Sequence, residues 1–177
     1  MSMTQKKYDP KRIAWLTVFA IYCFFVFGIL FLGRNAWKIQ YESFEMYMED
    51  CFNIIPFATV AECVGHILDG EYFMRRWAIR NMFGNLLLFY PMGIFLPCLF
   101  PRMRTALENV RISFFLILAV ELTQFLLRSG CFDIDDLILN MAGWMLGFLT
   151  FSIPFVRRLL KKMSILNENE ILTERED

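Results

Sequence analysis

Phe132-Asp133-Ile134-Asp135-Asp136-Leu137-Ile138-Leu139-Asn140, followed by an uncharged stretch to Val156, is the segment on which the fold turns. Three carboxylates and an amide stand at the mouth of Leu137–Val156, about 20 residues that can cross a hydrocarbon core roughly 30 Å thick. A carboxylate beside hydrocarbon is costly unless it has a partner or a task. The run therefore reads as the rim of a polar site cut into a membrane protein.

Working outward, the same signal recurs. The chain has 177 residues, 57% of them hydrophobic and 17% aromatic, which is more apolar than an ordinary soluble domain. The apolar residues come in blocks. Ile13–Gly33 is uncharged, Asn81–Pro101 is a second block, and Ile112–Arg128 a shorter third that contains Glu121. With 136–156 these make four expected transmembrane helices, about 13–33, 81–101, 112–128 and 136–156. The fold class is thus an all-α, polytopic membrane bundle. The first block is too long for a signal-peptide core, and Phe31-Leu32-Gly33 is a poor cleavage site.

Net charge is zero, so only its distribution informs. Lys6, Lys7, Lys11 and Arg12 precede the first span. Arg102, Arg104 and Arg111 lie between the second and third, and Arg157, Arg158, Lys161 and Lys162 follow the fourth. Placing these clusters on one side satisfies the positive-inside rule. Residues 1–12 and 157–177 become cytoplasmic tails, with a long outer loop at 34–80 that holds seven acids between Glu42 and Glu71. Within the loop, Tyr41–Asp50 has the mix of an amphipathic interfacial helix. Asn53-Ile54-Ile55-Pro56-Phe57 ends on a proline stop, and Phe57–Leu68 reads as a short helix ended by Asp69-Gly70. Cys23 and Cys98 fall inside spans. Cys51, Cys63 and Cys131 fall outside, where a Cys51–Cys63 disulfide is one available pairing, and the odd total of five leaves one thiol over.

With both termini inside, the polar residues of the spans collect in the outer leaflet. At about 1.5 Å per residue, Asn85 lies roughly 6 Å below Asn81 and Asn140 roughly 6 Å below Asp136. On the same rise, Gln124 and Glu121 lie roughly 6 and 10 Å below Arg128. The inner halves are expected to be nearly pure hydrocarbon. Asn81 with Asn85, Glu121 with Gln124 and Arg128, and Asp136 with Asn140, Gly143 and Gly147 are each spaced to share a helix face. Gly143 and Gly147 also form a small-xxx-small pair that lets another helix, or a second copy, approach closely. Pro91 should bend the second helix.

Each polar residue also has a plain structural reading. Asn, Gln and Glu can bond helices together, Asp135 or Asp136 can cap the fourth helix, and Arg128 can mark the interface. Their collection in one layer favours a site. Glu121 and Asp136 are the candidate acid–base residues, and Asn81, Asn85, Gln124, Arg128 and Asn140 the candidate ligand contacts. Asp133, Asp135 and Asp136 are candidate ligands for Mg²⁺ or Mn²⁺, which prefer oxygen donors. No cofactor beyond such a divalent cation is implied.

The chain resembles the VanZ-like family of bacterial membrane proteins. The resemblance rests on Asn53–Phe57; on Asn81-Met82-Phe83-Gly84-Asn85 with Pro91, Gly93 and Pro97; and on Glu121-Leu122-Thr123-Gln124, Arg128, the aspartate run, Asn140, Gly143 and Gly147. It covers residues 53 to 150. In the family the arginine stands nearer the phenylalanine, whereas here Ser129-Gly130-Cys131 intervenes. The resemblance implies a multi-pass protein of the bacterial cell membrane, with a role in tolerance of teicoplanin, a lipidated glycopeptide. The partners expected are membrane lipids and a lipid-linked cell-wall precursor or lipoglycopeptide, with no nucleic acid. Arg75, Arg76, Arg80 and Arg128 could face a phosphate in such a role. The alternative is a membrane enzyme acting on a lipid-linked substrate at the outer face, for which nucleophiles are scarce and His66 is the sole histidine.

Overall fold

The computed structural model describes residues 10–32 and 43–163. Most of the N-terminal tail, the first part of the outer loop (33–42) and the acidic C-terminal tail lie outside the described residues. Four helical stretches are long and apolar enough to cross a membrane: Pro10–Leu32, Tyr72–Leu99, Ala106–Leu126 and Ile134–Ser152. The fold is all-α, as the apolar blocks predict, apart from one two-residue strand pair.

Local chemistry sets the ends of these elements. Helix α1 (Pro10–Phe27) starts on a proline, whose missing N–H costs nothing there, and runs into a π turn at Gly28–Leu32. Helix α2 (Phe44–Cys51) is capped by Ser43, whose hydroxyl accepts from the Met46 amide. Helix α3 (Ala58–Asp69) ends at Gly70 and closely matches the short loop helix expected from sequence. Helix α6 (Ala106–Leu126) begins at Thr105, which accepts from the Glu108 amide, and Asp133 caps α7 (Ile134–Ser152). Pro154 opens a separate basic helix, α8 (Pro154–Lys162), so the fourth apolar block stops short of Val156.

The second stretch differs most from expectation. It begins at Tyr72, not Asn81, and breaks at Phe89 into α4 (Tyr72–Leu88) and α5 (Tyr90–Leu99). The bend follows from Pro91, as expected. With Pro91 at its first turn, α5 restarts with the Met92 amide bonded to the Phe89 carbonyl, 3.1 Å. The Leu88 carbonyl is thereby released, and the Tyr22 hydroxyl of α1 donates to it at 2.5 Å. Trp15, Phe19 and Tyr22 then pack around Phe95, tying α1 to α5.

Helix α7 is the centre of the bundle, with nine buried residues. Gly143 and Gly147 permit this. A Cβ at Gly143 would fall on the Leu86 carbonyl oxygen, one at Gly147 on that of Tyr90, and one at Gly93 on that of Trp144. The glycine face is therefore used within the chain, against α4 and α5, and a second copy would need another face.

Three contacts hold the outer loop to the end of α6 and the segment joining it to α7. Strands β1 (Phe52–Asn53) and β2 (Phe132–Asp133) pair in parallel. A disulfide joins Cys51 to Cys131, immediately before both strands. The Cys51–Cys63 pairing is thus corrected: Cys63 is a buried free thiol on α3, and the strand pairing brings Cys131 to Cys51 instead. Tyr47 completes the clasp, its single O–H within hydrogen-bond reach of the carbonyls of Gly130 (2.6 Å) and Phe125 (2.9 Å).

Candidate functional site

The aspartate run divides between two environments. Asp133 and Asp135 face the loop. Asp133 accepts from the Thr59 hydroxyl at 2.5 Å, the Asn53 amide at 3.4 Å and the Asp135 backbone at 2.9 Å. Asp135 is fully buried and accepts from the backbone amides of Phe57 (2.5 Å) and Val60 (3.0 Å). Those amides stand at the N-terminus of α3, one on the residue before it and one in its first turn, where donors lack intrahelical partners and the helix dipole is positive. Phe57, the residue before α3, has a positive φ of 66° and no capping side chain. Asp135 supplies that cap from 78 residues away in sequence.

Asp136 turns the other way, into the bundle. The Asn85 amide of α4 donates to its carboxylate in a buried bond. One turn deeper on α7, Asn140 is 1% exposed, and its carbonyl oxygen has no hydrogen-bond partner among the described residues. A buried amide in that state costs about 1–3 kcal/mol. Natural sites tolerate that where a water or a bound group supplies the missing bond. Asn85, Asp136 and Asn140 thus form a polar interior between α4 and α7, next to the glycines that bring those helices together.

The remaining expected site residues fall around this centre. Asn81 lies at the α3–α4 contact, with its amide 3.9 Å from the sulfur of Cys63. Burial pushes the Cys63 thiol pKa up, against a smaller opposing pull from Asn81. Glu121 and Gln124 are buried on α6, and the Gln124 amide donates to the Leu30 carbonyl in the π turn of α1 at 2.9 Å. Gln124 therefore connects α6 to α1 rather than to α7. Arg128, in the left-handed region at φ 52°, stacks over Phe44 and Tyr47 of α2 at 5.3 and 5.8 Å. It is exposed and belongs to the clasp, not the interior.

One polar cluster has no counterpart in the sequence reading. Asn109 is fully buried near the start of α6; it donates to the carbonyls of Met103 and Thr105 and accepts from Trp144 Nε1 at 3.1 Å. The halves of the helices away from the aspartates are therefore not pure hydrocarbon. The uncharged block begins only at Ile112, after Arg111, whereas helix α6 begins at Ala106 and carries Asn109 into the bundle beside Trp144.

Among the described residues no three His, Cys, Asp or Glu side chains gather as a metal site needs. Asp133 and Asp135 already accept from N–H and O–H donors and do not converge with Asp136.

Four apolar, membrane-capable helices with a buried Asn–Asp–Asn interior define a small polytopic membrane protein with a polar core. The chain belongs to the VanZ/LLP1 family, whose model matches residues 19–157. Neither the curated proteins nor the solved structures contain a significant match to it.

Proposed function

We propose that this VanZ-like protein sits in a bacterial cell membrane with the aspartate end outward. In this reading both termini are cytoplasmic, and the Asn85–Asp136–Asn140 interior receives a polar group of an amphiphile or partner. The physiological outcome would be tolerance of teicoplanin-type glycopeptides or a related role in the envelope. The observation that carries the reading is Asn140, a buried amide oxygen without a partner beside an Asn–Asp pair. The orientation is supported by the basic clusters 102–111 and 157–162 at one end of the bundle, while the arginines at the other end are offset by the seven acids of the outer loop. The Cys51–Cys131 disulfide at the other end adds support, since disulfides persist in oxidising compartments.

The enzyme alternative has less support. Two of its three metal-ligand candidates cap helices or bind Thr59, and only Asp136 faces the interior.

The test is a teicoplanin and vancomycin susceptibility assay in cells expressing wild type, Glu121→Gln, Asp136→Asn and Asn140→Leu. Wild type is expected to raise teicoplanin tolerance, with loss in the Asp136 and Asn140 variants. No shift with wild type against either drug would sink the resistance role. Orientation is tested separately: after mild reduction, an impermeant maleimide applied to intact cells should label Cys131, which is exposed.

A further inference from the structure

The stretch Tyr72–Leu99 is longer than a bilayer core requires. Its 28 residues span about 42 Å at 1.5 Å each, against roughly 30 Å of hydrocarbon. At its far end the sequence stays apolar to Phe100 and turns basic at Arg102, so the surplus, about eight residues, lies at the Tyr72 end. Residues 72–80 therefore stand at headgroup level.

That segment carries a cavity of about 440 Å³, lined among the described residues by Tyr72, Phe73, Arg76, Trp77, Ile79 and Arg80. The two guanidinium groups have no carboxylate beside them in this lining. Arg76 lies over the Tyr72 ring at 5.5 Å and donates to its hydroxyl at 3.2 Å, while Arg80 is exposed. Ile79, between the arginines, is 42% exposed, and below them the same face continues with Phe83 and Leu87, which are 54% and 59% exposed. Residues 76, 80, 83 and 87 recur at helical spacing and form one stripe. Asn85 is on the opposite side of α4, where it meets Asp136. The stripe is thus separate from the polar interior, and a ligand on the stripe is independent of any ligand at Asn85, Asp136 and Asn140.

We infer that this face of α4 is a binding site for one anionic phospholipid. Its phosphate is held between Arg76 and Arg80, among the rings of Tyr72, Phe73 and Trp77, and an acyl chain lies along Phe83 and Leu87. The chemistry fits each part. Guanidinium groups bind phosphate through charge-assisted, paired hydrogen bonds, aromatic rings suit the headgroup zone, and an exposed apolar track directly beneath suits a chain.

The test uses the purified full-length chain, delipidated in mild detergent, with lipid retention read by native mass spectrometry. The probes are phosphatidylglycerol, phosphatidylcholine and inorganic phosphate. Wild type should retain one phosphatidylglycerol, and Arg80→Gln and Arg76→Gln should each weaken retention about tenfold, the effect of losing one hydrogen bond to a charged group. Phe83→Ala should weaken it while leaving both charges in place, and Arg111→Gln, on another helix and paired with Glu108, should not change it. Both arginine substitutions lie on an exposed surface, and an unchanged melting temperature will establish that they fold. Equal retention of phosphatidylcholine would overturn the inference. So would undiminished retention in the Arg76→Gln/Arg80→Gln double variant, or displacement of the lipid by millimolar inorganic phosphate.

Discussion

Asp135 and Asp136 are neighbours in sequence, but a helix turns about 100° per residue, so they face different elements. Asp135 caps α3 and Asp136 meets Asn85. Asp135→Ala leaves two part-buried helix-end amides without an acceptor and should cost about 1–2 kcal/mol, read as a lowered melting temperature in detergent. Asp135→Asn keeps one acceptor and should cost less. Asn140 behaves oppositely. Replacing its unpartnered amide by leucine removes a buried polar group, so Asn140→Leu should match or exceed wild-type stability while losing the phenotype. A structural role alone would move the two readouts together. Cys63 is fully buried and its thiol pKa is raised, so less of it is thiolate at any given pH. Alkylation of Cys63 in the folded protein should be slow at about pH 8, just below the ordinary thiol pKa, and unfolding should restore ordinary rates, as peptide mapping would show.

At the scale of elements, the contact between α7 and α4–α5 depends on backbone against backbone. Gly143→Ala or Gly93→Ala places a methyl on a carbonyl oxygen of the facing helix, and the helices must separate. Each should destabilise by about 1–3 kcal/mol or more. Gly84→Ala, with nothing within 4 Å of the added Cβ, should be neutral or slightly stabilising, which makes it the control. The kink between α4 and α5 has a similar dependence. The proline that creates it releases the Leu88 carbonyl, and Tyr22 satisfies that carbonyl from another helix. Tyr22→Phe should therefore lower thermal stability by about 1–3 kcal/mol without loss of ring packing.

At the scale of the whole molecule, the outer loop and the bundle are joined by a disulfide, a strand pair and two aspartate-centred hydrogen-bond groups. The covalent link spans 80 residues of chain. Cys51→Ser/Cys131→Ser should lose about 2–4 kcal/mol, and limited proteolysis should then cut between α2 and α3 before it reaches α7. The four membrane-capable helices should persist in circular dichroism, because their apolar length does not depend on the clasp.

The four apolar helices, the bend at Pro91 and the α3 helix were legible in the sequence. Apolar length, proline and helical spacing are local properties, and they act before any tertiary contact forms. The partner of each polar residue was not legible. Only the packed structure turns Asp135 to the loop and Asp136 to Asn85, joins Cys51 to Cys131 rather than Cys63, sends Gln124 to α1, and stacks Arg128 on α2. The physical reason is that spacing fixes which side of a helix a residue occupies, whereas the element facing that side is set by how the helices pack.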